Sequence, residues 1–173
     1  MSWDTAIVGA MAAVVQLVVG LVLAMGAVYI GLKLFDRLTK GLREWEEIKN
    51  GNVAVGIFIA AVIISISFVI QSSVASLLAG LDTATDPAGL AVVLGLGLLN
   101  LAIGIIAGVG SVYLAIKIFD RITVDIDEMK ELEKGNVAIA IILAGVLLAV
   151  SFIIASAVTG ITSALSPENL GLV

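Results

Sequence analysis

The sequence contains no cysteine and no histidine. Disulfides, thiolate chemistry and metal sites built from these residues are therefore excluded, as are serine–histidine catalysis and a histidine pH switch. Charge is scarce as well, because only 13% of the 173 residues are charged whereas 61% are hydrophobic. Soluble domains have roughly 45–50% apolar and about 25% charged residues. The composition thus predicts an integral membrane protein, and it points to no metal and no cofactor.

Four long apolar segments account for most of the chain. They cover approximately residues 6–35, 53–81, 90–119 and 137–165, and each exceeds the ~20 residues that a helix needs to cross a bilayer. We therefore predict an all-α membrane protein with four transmembrane helices. The residues before the first segment lack the basic region of a signal peptide, so we expect the first helix to be retained.

Every one of the nine Lys and Arg residues lies in or beside the two charged loops that follow the first and third segments. All charged side chains are acidic in the N-terminus, in the connection at residues 81–89 and in the C-terminal tail. By the positive-inside rule, both charged loops are predicted to be cytoplasmic and both termini to lie outside, in a multi-pass protein of the plasma membrane. Acidic residues balance or outnumber basic ones in both loops, so no nucleic-acid partner is predicted.

The two halves of the chain repeat each other at an offset of 84 residues. Between residues 28–60 and 112–144, 15 of 33 positions are identical, and many of the identical residues are polar. Each half, residues 1–84 and residues 85–173, is thus predicted to be one helical hairpin. Because each half holds an even number of spans, the two run in the same direction, related by a pseudo-twofold axis along the membrane normal.

A charged loop forms the bend of each predicted hairpin, at residues 36–49 and 120–133. Apolar residues recur there at helical spacing, which predicts a short amphipathic helix in each bend. These residues are Leu38, Leu42, Trp45 and Ile48, and Ile122, Ile126, Met129 and Leu132. Such a helix can lie in the headgroup interface or extend the preceding span. The doublets Gly51-Asn52 and Gly135-Asn136 follow, and they predict a left-handed helix end and an N-cap for the next span.

The two Lys-x-x-Asp-Arg motifs and the doubled Gly-Asn-Val-Ala at 51–54 and 135–138 resemble the YjfL-type family of bacterial and archaeal membrane proteins, domain of unknown function 350. The resemblance covers nearly the whole chain. It implies a tandem arrangement of membrane hairpins, and it implies no particular activity.

Small residues form a stripe, or seam, along one face of the first and of the third apolar segment, and each seam contains one amide. The first includes Gln16, Gly20 and Ala24, and the second includes Asn100, Gly104 and Gly108. Small residues let helices approach closely, and an amide in hydrocarbon needs a partner. We expect these two helices to pack along their seams, with the two amides bonded to each other or across the seam. The alternative is a narrow polar path for a solute.

A further set of matched residues lies at the predicted cytoplasmic end of the same two helices. It comprises Tyr29, Lys33, Asp36 and Arg37, with their counterparts Tyr113, Lys117, Asp120 and Arg121. The spacing places the ring, the ammonium and the carboxylate on one helix face. One interpretation is a lysine that extends its charge to the interface, held there by the acid. The other is a pair of contacts for an anion or a protein partner.

These features favour a structural, scaffolding or partner-recruiting membrane component, either a homo-oligomer or a protein bound to another membrane protein. A small channel or facilitator along the seams is the alternative. An enzyme is not expected, because no combination of nucleophile, base and electrophile can be assembled from the sequence. The middle of each apolar segment contains no Asp, Glu, Lys or Arg, which disfavours a proton-coupled transporter or a voltage sensor.

Overall fold

A computed structural model of the chain describes residues 3–38, 44–83, 86–123 and 126–172, with only the backbone described at 3–13, 38, 82 and 83. This part of the chain folds into helices. In order they are α1 (Trp3–Leu38), α2 (Glu44–Lys49), α3 (Val53–Thr83), α4 (Pro87–Ile122), α5 (Glu128–Glu133) and α6 (Val137–Ala164).

Helices α1, α3, α4 and α6 are long and apolar enough to cross a membrane. At 1.5 Å per residue they are about 42 to 54 Å long, against a hydrocarbon core of about 30 Å. The four predicted segments are confirmed as helices, and α1 and α4 extend three residues further at each end than the predicted segments. The chain is therefore an all-α protein of the multi-pass membrane type.

Helix α3 lies at the centre of the bundle. It packs against α1, α4 and α6, and α4 also contacts α1 and α6. Half of the most apolar stretch of α3 is buried, compared with 17% of the corresponding stretch of α1. The core contains Phe58, Ile66 and Ile70 of α3, together with Phe35 of α1 and Leu143 of α6. Helix α1 is thus the outermost of the four.

Helix α4 begins with an N-cap at Asp86, directly after the connection from α3. Asp86 Oδ1 accepts a hydrogen bond from the Gly89 amide at 2.6 Å, and Pro87 occupies the first turn, where its missing N–H costs nothing. The predicted boundary between the two halves, at residues 84 and 85, lies outside the described residues.

The predicted amphipathic helix over 120–133 is wrong as a single element. Residues 120–122 are the end of α4, and α5 begins only at Glu128. Thr123 ends α4, since its hydroxyl donates to the Phe119 carbonyl at 2.9 Å. Asp127 starts α5, since its side chain accepts from the Lys130 amide at 3.2 Å. Side-chain bonds to the backbone therefore interrupt the helix at this bend.

Because the helix is interrupted, the apolar residues predicted to form one stripe in this bend are divided between two separate helices, α4 and α5, and the connection between them. Ile122 is 72% exposed at the end of α4, whereas Leu132 of α5 is fully buried. In the first half, residues 36–38 likewise belong to α1, and α2 begins at Glu44. The rest of that predicted helix, residues 39–43, lies outside the described residues. Trp45 of α2 is 65% exposed.

Candidate functional site

The two bends end in the same glycine turn. Gly51 and Gly135 have φ angles of +81° and +80°, a region in which a residue with a Cβ is disfavoured by about 1–2 kcal/mol. Each glycine amide donates to the carbonyl three residues earlier, at 3.0 and 2.9 Å. The backbone amide of the asparagine that follows each glycine donates to the carbonyl five residues earlier, also at 3.0 and 2.9 Å. This pair of bonds is the Schellman motif, and it ends α2 and α5.

The asparagine that follows each glycine begins the next membrane helix. Asn52 Oδ1 accepts from the Val55 amide at 3.2 Å, and Asn136 Oδ1 accepts from the Ile139 amide at 3.4 Å. These are N-caps, which satisfy amides that have no partner within the helix. Each asparagine Nδ2 also donates to the glutamate five residues earlier, at 2.9 Å in the first half and 2.8 Å in the second.

Asn52 additionally joins the two halves of the chain. Its Nδ2 lies 2.9 Å from the Leu132 carbonyl and 3.1 Å from the Glu133 carbonyl, both at the end of α5. Within the described residues, Asn136 makes only the local bonds. The two bends therefore lie at the same end of the bundle. We call residues 44–52 and 128–136 together the bend surface.

The matched tyrosine and lysine residues meet just below the bend surface. Lys33 Nζ lies 5.9 Å from the centre of the Tyr29 ring, and Lys117 Nζ lies 6.0 Å from the centre of the Tyr113 ring. Both are cation–π contacts between residues one helical turn apart. The charged ends of these lysines are exposed, as are Asp36, Arg37, Asp120 and Arg121.

The acid of each set lies beside a glutamate of the short helix that follows. Glu128 is only 3% exposed, and the Thr123 hydroxyl donates to it. Burial raises the pKa of the Glu128 carboxyl above its usual value, and the neighbouring Asp120 carboxylate raises it further. In the first half, burial and the Asp36 carboxylate raise the pKa of Glu44 in the same way. Each bend thus holds a carboxyl group that retains its proton more strongly than usual.

The small-residue seam of α4 packs tightly against α3. A Cβ added to Gly104 would lie 2.3 Å from Ser73 Oγ, and one added to Gly97 would lie 2.6 Å from Leu77 Cγ. A Cβ added to Gly108 would lie 3.5 Å from the backbone carbonyl oxygen of Ile66. Side chains of α3 therefore fill the notches that the glycines leave, and the seam contains no open path.

The amide of this seam has its partner on α3. Asn100 is 1% exposed, and its Nδ2 donates to Ser76 Oγ at 3.3 Å. Its Oδ1 is buried without a hydrogen-bond partner. The partner of Asn100 is thus a serine of α3, whereas the sequence had led us to expect Gln16 or a group across a seam between α1 and α4.

The seam of α1 also faces α3. A Cβ added to Gly20 would lie 2.9 Å from Leu78 Cδ1, the flexible end of a side chain of α3. Gln16 and Ala24 are half-buried on the same helix. The glycines of both seams therefore face the central helix, because α3 supplies the large side chains that fit between small residues.

A polar cleft of about 660 Å³ lies between α3 and α6, at the end of the bundle away from the bend surface. We call it the α3–α6 cleft. The Phe68 and Phe152 rings close its inner end, with centroids 6.4 Å apart and planes at 81°. Glu168 and Asn169 lie at its outer end. Polar groups line its walls, including Gln71, Ser72, Ser76, Ser156, Thr159 and Ser163.

Several of these features were not predicted from the sequence. The sequence did contain a signal for the pairing of Asp120 with Glu128. Glu44 and Glu128 are identical at the 84-residue offset, and the pattern of apolar residues does not require a glutamate at these positions. The bridge from Asn52 to α5 had no signal, because Asn52 and Asn136 are the same residue type. Within residues 3–38, 44–83, 86–123 and 126–172, no group of acidic side chains is arranged to hold a metal ion.

Comparison with known proteins identifies the family. A family model described as Domain of Unknown Function (DUF350) matches residues 5–109 and again residues 93–172. No curated protein and no solved structure matches the chain. The two matches together cover nearly the whole chain, in agreement with the resemblance drawn from the doubled Gly-Asn-Val-Ala. The chain belongs to the DUF350 family.

Proposed function

We propose that this protein is a structural component of the membrane that assembles with itself or with another membrane protein and catalyses no reaction. The two halves act as parallel tandem hairpins, and the bend surface is the part that meets a partner. The observation that carries this proposal is the pair of bonds from Asn52 to the Leu132 and Glu133 carbonyls. These bonds hold two separate turns in one fixed arrangement, as a docking surface requires.

The composition of the bend surface supports contact with a protein. Trp45 is 65% exposed there, and tryptophan is enriched at the centres of protein interfaces. Ion pairs in the second bend join Lys130 to Asp127, just before the bend surface, at 2.8 Å and Lys134 to Glu131 at 2.7 Å. Both lysines of the second bend are thus paired with acidic groups, which disfavours anionic lipid as the main partner.

The second candidate function is a small channel or facilitator, and the polar α3–α6 cleft is the observation that favours it. The original form of that hypothesis placed the path along the α1 and α4 seams. Gly97 and Gly104 are too close to α3 side chains for a solute to pass between them. A channel in this protein would therefore open into the α3–α6 cleft, and the Phe68 and Phe152 rings at the inner end of the cleft would have to separate for a solute to pass.

Reconstitution into liposomes separates the two candidates. A structural component leaves the leakage of ions and small solutes at the background level of empty liposomes, and native mass spectrometry in lipid discs gives a defined assembly. A channel gives a specific flux, which Gln71→Leu in the cleft lowers and Gly110→Ala, on α4 with nothing within 4 Å of the added Cβ, leaves unchanged. Specific flux through the wild-type protein would overturn the structural role.

The orientation is tested with the same protein. Because the native chain has no cysteine, Trp45→Cys introduces a single thiol on the bend surface. We propose that this surface is cytoplasmic, so an impermeant thiol reagent added to intact cells should leave Trp45→Cys unlabelled. It should label Glu168→Cys, at the opposite end of the bundle. Labelling in the reverse order would show that the bend surface faces outward.

A further inference from the structure

We propose that the α3–α6 cleft is the surface at which two copies of this chain pair within the membrane. This inference rests on the proposed function, and it names the face that self-assembly uses. The bend surface stays free for a different partner in such a pair, because the cleft lies at the other end of the bundle.

The first observation is an amide that lipid cannot satisfy. Gln71 lies 18 residues after the start of α3, about 27 Å along a helix, and is therefore within the membrane span. Its side chain is exposed in the cleft, and no hydrogen bond is made to it within the described part of the chain. Ser76 in the same wall accepts from Asn100, so its own hydroxyl proton remains available to donate. Hydrocarbon offers the Gln71 amide no partner, whereas a second protein surface does.

The second observation is the shape of the two walls. Ser72, Ser76 and Gly80 follow one another at four-residue intervals on α3, and Ala155, Thr159 and Ser163 do so on α6. Small residues at this spacing allow a membrane helix to approach closely. The protein already uses this mode of packing where Gly97, Gly104 and Gly108 of α4 receive side chains of α3. From Phe68 to Gly80 the cleft extends over about 18 Å, long enough for three turns of a helix.

The hydroxyl groups in the walls are compatible with a dry interface. Thr159 Oγ1 donates to the Ala155 carbonyl at 2.8 Å, and Ser156 Oγ donates to the Phe152 carbonyl at 3.4 Å. Such groups are satisfied by their own helix and behave as small residues. The cleft therefore presents few groups that require water.

Self-complementarity makes a second copy the occupant. The amide of Gln71 carries both donors and an acceptor, so two such amides related by a twofold axis bond to each other. Among the residues that the structure describes, Glu168 is the one charged residue that lines the cleft, and it lies at the outer end, where headgroups and water separate two like charges. A lipid acyl chain would leave the amides unpaired, and a foreign helix would need a matching amide that nothing in this chain specifies.

Thiol cross-linking tests the proposal with a matched control. Ala75 is exposed in the cleft, and Ala102 is exposed on α4 outside it. With no native cysteine to interfere, Ala75→Cys should be joined into dimers by a short bis-maleimide in lipid-diluted bilayers, and Ala102→Cys should stay monomeric. Equal cross-linking of the two variants, or none at Ala75→Cys, would overturn the proposed interface.

Association measured by energy transfer between labelled copies gives a second readout. Ala79→Leu fills the cleft from an exposed position and should lower dimerisation at least tenfold, whereas Ala102→Leu should not change it. Gln71→Leu removes the amide pair and should weaken dimerisation about 3- to 20-fold, given interhelical hydrogen bonds of roughly 0.6–1.7 kcal/mol. Unchanged association in Ala79→Leu would contradict the proposal, even if Gln71→Leu had an effect.

The outcomes also separate this inference from the proposed function. Wild-type assemblies in lipid discs, combined with no cross-linking at Ala75→Cys, would reject the cleft and leave the structural role intact. A wild-type chain that remains monomeric and gives specific flux would reject both. Labelling of Ala75→Cys by a water-soluble thiol reagent in the assembled wild-type-like dimer would show that the cleft stays hydrated, and would also reject the interface.

Discussion

The two halves of this protein share a turn but differ in how they pack. Gly51-Asn52 and Gly135-Asn136 make the same backbone bonds, the same N-caps and the same bonds to a preceding glutamate. Their membrane helices differ at matched positions, because Gly104 of α4 lies against Ser73 next to the α3 backbone whereas its counterpart Gly20 of α1 meets only the end of the Leu78 side chain. A repeated sequence thus fixes local structure twice, and the position of each half in the bundle decides its tertiary contacts.

The largest expected effect separates the two seams. Gly104→Ala forces a methyl group against Ser73 Oγ next to the α3 backbone and should destabilise the protein by about 1–3 kcal/mol. The corresponding Gly20→Ala meets only the end of Leu78, so its cost should be clearly smaller. Gly110→Ala, which meets nothing within 4 Å, serves as the control on α4. Thermal unfolding in one detergent measures all three, and equal shifts for Gly104 and Gly20 would remove the proposed difference.

A second comparison concerns the two asparagines. Asn136→Ala removes an N-cap and should cost about 1 kcal/mol. Asn52→Ala removes the same cap and the bonds to α5, which should add about 0.5–1.5 kcal/mol. Hydrogen exchange should rise in residues 128–136 for Asn52→Ala more than for any distant variant. If the two variants have equal stability, the bridge between the halves contributes nothing.

The two glycine turns should respond equally. Gly51→Ala and Gly135→Ala each place a Cβ at a φ near +80° and should cost about 1 kcal/mol. Gly145→Ala, in a helix interior with nothing within 4 Å, should instead stabilise by about 0.5–1 kcal/mol, because alanine favours helix. Denaturant unfolding tests the sign. A difference above about 1 kcal/mol between the two turns would mean that they are not equivalent.

The smallest effect is a pH dependence that is stronger in the second bend. The pKa of Glu128 is raised above its ordinary value of 4.5, so the folded state binds this proton more tightly than the unfolded state does. The resulting stability is complete below about pH 4.5 and is lost as the pH rises through the folded pKa. Glu128→Gln should therefore flatten the decline in melting temperature above pH 4.5.

Glu44→Gln provides the matched comparison for that profile. Glu44 is half-buried, whereas Glu128 is buried, so its substitution should flatten the profile less. Asp127→Asn is the control of opposite sign, because a bond from Lys130 lowers the pKa of Asp127. That substitution should remove stability that is present above about pH 4 and lost as the pH falls. A wild-type profile that is flat between pH 4 and 8 would contradict the assignment to Glu128.

Helices and turns were predictable because their signals are local. Runs of apolar residues set the four long helices, and a glycine followed by an asparagine set each turn. The amphipathic helix at 120–133 was mispredicted because periodicity does not register the bonds that Thr123 and Asp127 make to the backbone. The partner of Asn100 was not predictable either, because it depends on which helix takes the centre. Small residues are required on any close-packed helix, so their presence does not indicate which helix packs against them.

The loose seating of α1 has a consequence for bilayers of different thickness. Helices α1 and α4 have 36 residues each, about 54 Å, and both exceed the hydrocarbon thickness of any ordinary membrane. A change in thickness must be taken up by tilting, and tilting is easiest for the helix with the fewest fixed contacts. Helix α1 is the least buried of the four, and among the described residues fewer of its glycines lie against α3 than those of α4, so α1 is the helix that adjusts. A change in bilayer thickness would then tilt α1 and shift the end of this helix that carries Tyr29 and Lys33, next to the bend surface.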